Sequence, residues 1–270
     1  MGKIMQVRAF VRVAAAGIAT IGAAHAADLA VKAPVSKPAP IAYTWTGCYV
    51  GVNAGGAWAR SQGSMRFNDN TGLNRQAVEA AEGFTFEPSG FTGGGQLGCN
   101  YQTGNFVFGL EGDVDYLGLR SSRTVTAPFP GGGTFTITDS TSTDWMATVR
   151  PRVGYAINNW LFYATGGLAV TQLRFNTTYA DVFGTSENAS LSDTRYGWTA
   201  GAGVEVAIGG GPWSAKFEYL HADFGTASVT GTFVGVANTF GAHSVDLKTD
   251  IVRAGLNYRF GGGTPVVAKY

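Results

Sequence analysis

Near the end of the chain, Val252, Ala254, Leu256, Tyr258 and Phe260 fall at every second position, with Arg253, Gly255, Asn257 and Arg259 between them. A period of two predicts a strand with unlike faces, whereas a helix would scatter the same set around its circumference. In a water-soluble sandwich the arginines would face water. Here the apolar face ends on two aromatics, the pattern of a final membrane-crossing barrel strand with lipid on its apolar side. Seven earlier segments alternate in the same way, at about 46–58, 91–101, 105–117, 144–156, 160–171, 196–207 and 213–221, and the eighth is 250–260. In 105–117, Phe106, Phe108, Leu110, Val114 and Tyr116 alternate with Glu111, Asp113 and Asp115. In 144–156, Trp145, Ala147, Val149, Val153 and Tyr155 alternate with Thr148, Arg150 and Arg152, and Pro151, which has no N–H, predicts a bulge or a missing ladder bond.

The connections sort by length. Turns of a few residues follow the second, fourth and sixth segments, and long polar stretches follow the first, third, fifth and seventh. Short periplasmic turns and longer extracellular loops belong to outer-membrane barrels. The expected fold is therefore all-β: a closed eight-stranded antiparallel transmembrane β-barrel over residues 44–260, with four long extracellular loops and short periplasmic turns. Within the second long stretch, 123–127 and 134–138 still alternate around 128–133, so a hairpin is expected to project there.

At the N-terminus, Lys3, Arg8 and Arg12 precede an apolar run over 13–24 and the sequence Ala24-His25-Ala26, the form of a secretory signal peptide spanning 1–26 and cleaved between Ala26 and Ala27. That run is shorter than the ~20 residues a spanning helix needs, and no later segment approaches that length. Residues 27–43, rich in proline and alanine, read as a periplasmic tether, and 261–270 as a tail beyond the last strand. A hydrophobic fraction of 45% and a mean hydropathy of +0.05 fit strands that spend only alternate residues on lipid. Without the signal, sixteen basic residues stand against eighteen acidic ones, a formal charge of −2, which does not call for a nucleic-acid partner.

The alternation also sorts the charges. Glu111, Asp113, Asp115, Glu205 and Glu218 point inward together with Arg150, Arg152, Lys216, Arg253 and Arg259, five of each sign. Arg or Lys facing lipid at the midplane costs roughly 2–4 kcal/mol, and an eight-stranded bore is just wide enough to be filled by side chains, so pairing across the interior is expected. Arg259, near a strand end, could instead be a solvent-wetted rim residue. Cys48 and Cys99 share the outward parity near the periplasmic ends of adjacent strands; a disulfide and two separate small lipid-facing residues both remain open. Leu256, Tyr258 and Phe260 are the candidate assembly signal read by the barrel-assembly machinery.

Other motifs carry less. Residues 93–98 satisfy GxGxxG, but a strand follows them where a dinucleotide site needs a helix. His221 and His243 fall in the last long stretch with no ligand spacing around them, so solvent-exposed loop histidines are expected and no metal or cofactor is. No serine, histidine and acid grouping follows from spacing, so no enzyme activity is expected.

Several runs, YTWTGCYVGVNAGGAW, GGGQLGCNYQ, LFYATGGLA, GWTAGAGVE, WSAKFEYLHADFG and VRAGLNYRF, together with ADLAVKAP after the signal, resemble the outer-membrane immunogenic proteins of alphaproteobacteria, an OmpA-like β-barrel family within the porin-type proteins. The resemblance spans the mature chain. It implies a surface-exposed, antigenic outer-membrane protein with a structural role, embedded in outer-membrane lipid, and in some members a pore or a ligand site. It brings no catalytic residues. Cys48 and Cys99 stand where aromatic residues are expected, and 261–270 extend past the aromatic at which members usually stop. The alternatives to a structural role are a narrow channel for ions or small solutes, and a loop surface that binds a host factor, haem or another small ligand.

Overall fold

The computed structural model describes residues 43–68, 72–236 and 238–260. The signal peptide, the Ala26–Ala27 junction, the tether up to residue 42 and the tail 261–270 lie outside the described residues. Among the described residues there are nine strands and one helix: β1 Gly47–Phe67, α1 Leu73–Glu82, β2 Phe84–Phe86, β3 Ser89–Thr103, β4 Phe106–Pro128, β5 Thr134–Ile157, β6 Trp160–Asp181, β7 Ser186–Ala207, β8 Trp213–Thr232 and β9 Phe240–Phe260. They form one antiparallel sheet in the order β2-β1-β3-β4-β5-β6-β7-β8-β9, and β1 pairs with β9 as well. Each long strand thus has hydrogen-bonded neighbours on both sides, as a backbone surrounded by hydrocarbon requires. Cys48 lies opposite both Cys99 and Phe260, and Trp213 opposite Tyr258, which places the short turns and the last residue of β9 at one end.

The strands run well past the expected boundaries. Apart from β3, the long strands have 20 to 24 residues, because the stretches after β4, β6 and β8 are themselves mostly paired. Those three connections are tall hairpins, the first two with tips at 129–133 and 182–185 and the third joining β8 to β9 beyond Thr232, in place of the long loops expected. The hairpin expected at 123–138 is among them, with Val125 opposite Ile137. The first connection contains β2, which pairs with the outer end of β1, and α1, which periodicity-two reasoning passed over. Val78 and Glu82, one turn apart, are the buried side chains of α1.

The pairing of β5 with β6 skips Arg150 and Pro151, and the Thr165 hydroxyl donates to the Pro151 carbonyl at 2.9 Å. Register shifts between Thr143 and Met146 and between Asp223 and Thr226, the latter around Gly225 at φ +66°, exchange which parity faces inward on β5 and β8. Two other glycines make room for interior rings. A Cβ on Gly98 would lie 2.5 Å from the Tyr49 hydroxyl, and one on Gly203 the same distance from that of Tyr163.

The exposed face of the lower half is apolar. Val50, Val52, Leu97, Leu110, Val114, Val149, Val153, Leu168 and Leu256 are all exposed. Aromatics border this band at both ends: Tyr101, Phe106, Tyr155, Trp160, Trp213, Tyr258 and Phe260 toward the turns, and Trp58, Phe91, Tyr116, Tyr196, Trp198 and Tyr219 above. Exposed aromatic girdles around an apolar band mark the two membrane–water interfaces.

Candidate functional site

Alternation turns the charged residues of the lower half inward, where they meet across the interior. Arg253, from β9, donates through Nε and Nη2 to Glu218 on β8 at 2.9 and 2.7 Å and through Nη1 to Asp113 on β4 at 2.9 Å, and it also bonds Asp115. Arg150, on β5, reaches Glu111 at 2.8 Å, Asp113 at 2.9 Å and Glu218 at 3.3 Å. The Lys216 ammonium lies 2.8 Å from Glu111, and Arg152 donates to Glu205 at 2.7 Å. Arg150, Glu218 and Asp115 are 0% exposed and Arg253 is 1% exposed. In a site this dry, ion pairing is supported only if the remaining donors and acceptors are also bonded.

Neutral residues do most of that bonding, although Arg152 Nε and Asn53 Oδ1 are buried with no hydrogen-bond partner among the described residues. Tyr49 donates to Glu111 at 2.6 Å and accepts from Arg152 at 2.9 Å, while Tyr163 donates to Glu218 at 3.0 Å. Ser214 and Asn257 donate to Glu205 at 2.6 and 2.8 Å. Asn53 bridges Gln96 and Asp115, and Gln96 donates on to Asn257 at 2.7 Å. Their signal in the sequence is only that they are polar at inward parity.

Nine of the ten expected charges therefore come together. The tenth does not. Arg259 is buried without a carboxylate partner among the described residues; its guanidinium lies 4.3 Å from the Tyr43 ring centre and 5.5 Å from that of Trp45, and it donates to the Thr44 carbonyl. It is neither in the network nor a wetted rim residue, because the chain entering β1 folds across the turn end and covers it. The network so holds five carboxylates and four cations. Trp45 joins Val107, Ala156, Leu161, Tyr163 and Ala207 in an apolar layer at that end.

Above the network the interior becomes apolar. Leu117, Leu119, Met146, Leu173, Phe175, Leu220, Phe224, Val245, Leu247 and Ile251 pack together there, with Phe84 and Phe86 of β2. Higher still, His243 sits between two carboxylates. Its Nε2 is 3.0 Å from Glu187 on β7, and its Nδ1 bonds Glu82 of α1. Burial lowers the imidazole's pKa, but hydrogen bonds to Glu187 and Glu82 outweigh it and raise the pKa to about 9. The expectation of an exposed loop histidine is thus corrected: β9 continues through this residue, and its acids come from elements 161 and 56 positions away. His221 likewise lies within β8, half-buried, with Nδ1 2.8 Å from Asp250. A last aromatic layer, Phe129, Phe135, Tyr179 and Phe233 with Val78 of α1, covers the mouth, and a cavity of about 230 Å³ opens among Phe67, Val78, Phe129, Tyr179, Asp181 and Phe233.

Cys48 and Cys99 are joined in a disulfide between β1 and β3, with Cα atoms 3.9 Å apart, on the outward face. Leu256, Tyr258 and Phe260 lie outward in the lower band at the end of β9. Residues 93–98 are strand throughout, within β3.

A sheet with charges inside, an apolar band outside and aromatics at both edges of that band is the build of a bacterial outer-membrane β-barrel protein. The chain belongs to the outer membrane protein beta-barrel domain family, which matches residues 13–260. It is 35% identical over 245 residues to the 31 kDa outer-membrane immunogenic protein of Brucella melitensis, covering 88% of this chain and 93% of that one. With the 25 kDa outer-membrane immunogenic protein of Brucella abortus it shares 27% over 256 residues, 94% of this chain and 98% of the relative. Among solved structures, Neisserial surface protein A is similar at 13% identity and a TM-score of 0.35, over 80% of this chain and 98% of that one. The protein is thus an outer-membrane protein of the Gram-negative envelope.

Proposed function

We propose that the chain is a closed eight-stranded barrel that serves the envelope as a structural, surface-exposed wall element and does not conduct. The observation that carries this reading is the filled interior: a dry ionic network with an apolar layer on each side of it. A conduit needs a wetted path lined by mobile groups, whereas here each cation is fixed by its acids and the layers above and below are built mainly of packed apolar side chains. β2 is an ornament on the outer end of β1, so eight strands make the wall. In this reading the partner of the lower outer face is outer-membrane lipid, and Phe260 with Tyr258 and Leu256 presents the signal that the assembly machinery reads. The test is conductance of the refolded mature protein in planar bilayers. No steady single-channel steps are expected; steady, ion-selective steps would replace this reading with the channel.

One observation favours a second role. The cavity at the mouth, about 230 Å³, sets Phe67, Val78, Phe129, Tyr179, Phe183 and Phe233 beside Asn74, Arg75, Asp181 and Thr185, a mixed lining suited to a small ring-bearing ligand with a polar substituent. Titration with small aromatic compounds, read by calorimetry, should give saturable binding that Phe233→Asp removes; binding unchanged by that variant would exclude the site.

A further inference from the structure

Just above the upper aromatic girdle, the outward face of β4, β5 and β6 carries a cleft of about 310 Å³. Two rows of side chains build it. In the lower row, Arg120 is opposite Ser142 and Ser142 is opposite Arg174; in the upper, Ser122 is opposite Ser140 and Ser140 is opposite Asn176. Adjacent strands lie about 4.8 Å apart, so the two guanidiniums stand roughly 10 Å apart at the backbone and lean over one serine. Asp144 lies below that row and bonds both, Arg120 at 2.9 Å and Arg174 more closely. The charge there does not cancel, since two cations share one acid. Elsewhere on this rim the ion pairs are one to one, Arg60 with Glu87 and Lys248 with Asp223. Ser122, Ser140, Ser142 and Asn176 have no side-chain hydrogen bond among the described residues, and both arginines keep N–H groups that Asp144 does not take.

Surplus positive charge, planar donor forks and a wall of hydroxyls are the chemistry that recognises a phosphate dianion. Height decides its source. Tyr116 and Trp145 lie on the turn side of Arg120 and Asp144 on their strands, with Val170 and Leu168 below Arg174, so a phosphate in the cleft would have its acyl chains lying on this apolar surface. We propose that the cleft formed by Arg120, Ser142 and Arg174 binds the phosphate of an outer-leaflet lipid headgroup and so fixes lipid to one side of the wall. The proposal rests on the lower outer face meeting lipid.

The test uses the refolded mature protein in neutral maltoside micelles, titrated with diphosphorylated lipid A, with its phosphate-free counterpart and with inorganic phosphate, bound copies being counted by native mass spectrometry. Wild type should bind the phosphorylated lipid in preference to the phosphate-free one. Arg120→Gln with Arg174→Gln should weaken that binding by about tenfold or more, while Arg60→Gln, which removes a cation from another part of the rim, should leave it unchanged. If the double variant does not fold, as read by loss of heat-modifiable gel mobility, Ser142→Leu fills the centre of the cleft without removing charge and should weaken binding likewise. Equal binding in all variants, or an equal loss in Arg60→Gln, would overturn the proposal. Displacement of the lipid by inorganic phosphate at comparable concentration would make this a free-phosphate site and overturn the lipid assignment. Failure of wild type to enter lipid vesicles at all would instead strike the lipid-facing reading on which the cleft depends.

Discussion

Below the upper aromatic girdle the strands carry charge inside and hydrocarbon outside; above it, the same strands carry mainly hydrocarbon inside, around the Glu82–His243–Glu187 contact, and threonine, serine and charge outside. β9 shows the exchange within one unbroken strand. In its lower half Val252, Ala254 and Leu256 face out and Arg253 faces in, whereas in its upper half Val245, Leu247 and Ile251 face in and Ser244, Asp246 and Lys248 face out. No backbone irregularity is needed, only a change of solvent. In hydrocarbon the apolar face gains nothing by turning inward and the charges must, whereas in water the hydrophobic effect sets the ordinary soluble arrangement. At the boundary two apolar residues become adjacent, Tyr116–Leu117 on β4 and Ile251–Val252 on β9, and the apolar parity reverses.

The two interiors should respond differently to substitution. The largest effect belongs to the charged half. Arg253→Met leaves buried Asp115 with no cation and takes one of their cations from Asp113 and Glu218, at a cost of about 3–5 kcal/mol in urea unfolding from lipid vesicles. Arg152→Met with Glu205→Gln, which removes a charge of each sign together, should be less damaging than Arg152→Met alone. If both single changes are silent, the charged interior is wet and the comparison fails. Opening the Cys48–Cys99 link frees a loop of about fifty residues in the unfolded chain and should cost up to roughly 4 kcal/mol, seen as a lower urea midpoint on reduction. In the apolar half Leu247→Ala should cost about 2–4 kcal/mol, as in a water-soluble core, and Leu247→Lys should prevent folding of the outer hairpins while leaving the lower strands protected from exchange.

The smallest effect is a pH response confined to the mouth. His243, raised to about 9, is charged in the folded protein where an unfolded histidine, near 6.5, is not. The stabilisation this gives is complete below about pH 6.5 and is lost as pH rises through about 9. The groups around the ring are Glu82 on α1, Glu187 on β7 and, further off, Asp139 on β5; burial raises the pKa of both Glu82 and Asp139, and the charged imidazole works against that rise in each. The protection of α1 amides, relative to intrinsic exchange at the same pH, should fall as pH passes about 9, and His243→Leu should remove that fall while protection in the lower strands stays constant.

The same exchange of faces explains what could be read from the chain. Within the membrane, alternation and charge together located the eight long strands and nine of the ten charges that meet inside, since a lipid-facing residue tolerates so few alternatives. Reading stopped where the apolar parity reversed. At Asp250 the alternation of β9 changes sense, and at Asp144 and Gly225 the register shifts on β5 and β8 interrupt it, so the paired outer halves looked like polar loops. The network's neutral members, Tyr49, Tyr163, Asn53 and Gln96, escaped because their role depends on which strands face one another across the interior. Helix α1 and the Glu82–His243–Glu187 contact depend on long-range packing, which no local period records.

The direct test of this account is a spin-label scan of β9 from residue 244 to 258 in lipid vesicles, comparing collision with oxygen, which concentrates in lipid, and with a water-soluble nickel complex. Even-numbered positions from 252 to 258 should favour oxygen and those from 244 to 250 nickel, with odd-numbered positions shielded from both along the whole strand. Nickel reaching the odd-numbered positions between 251 and 257 would show a water-filled bore, and oxygen dominating at 244 and 246 would show that the apolar parity does not reverse at a membrane boundary.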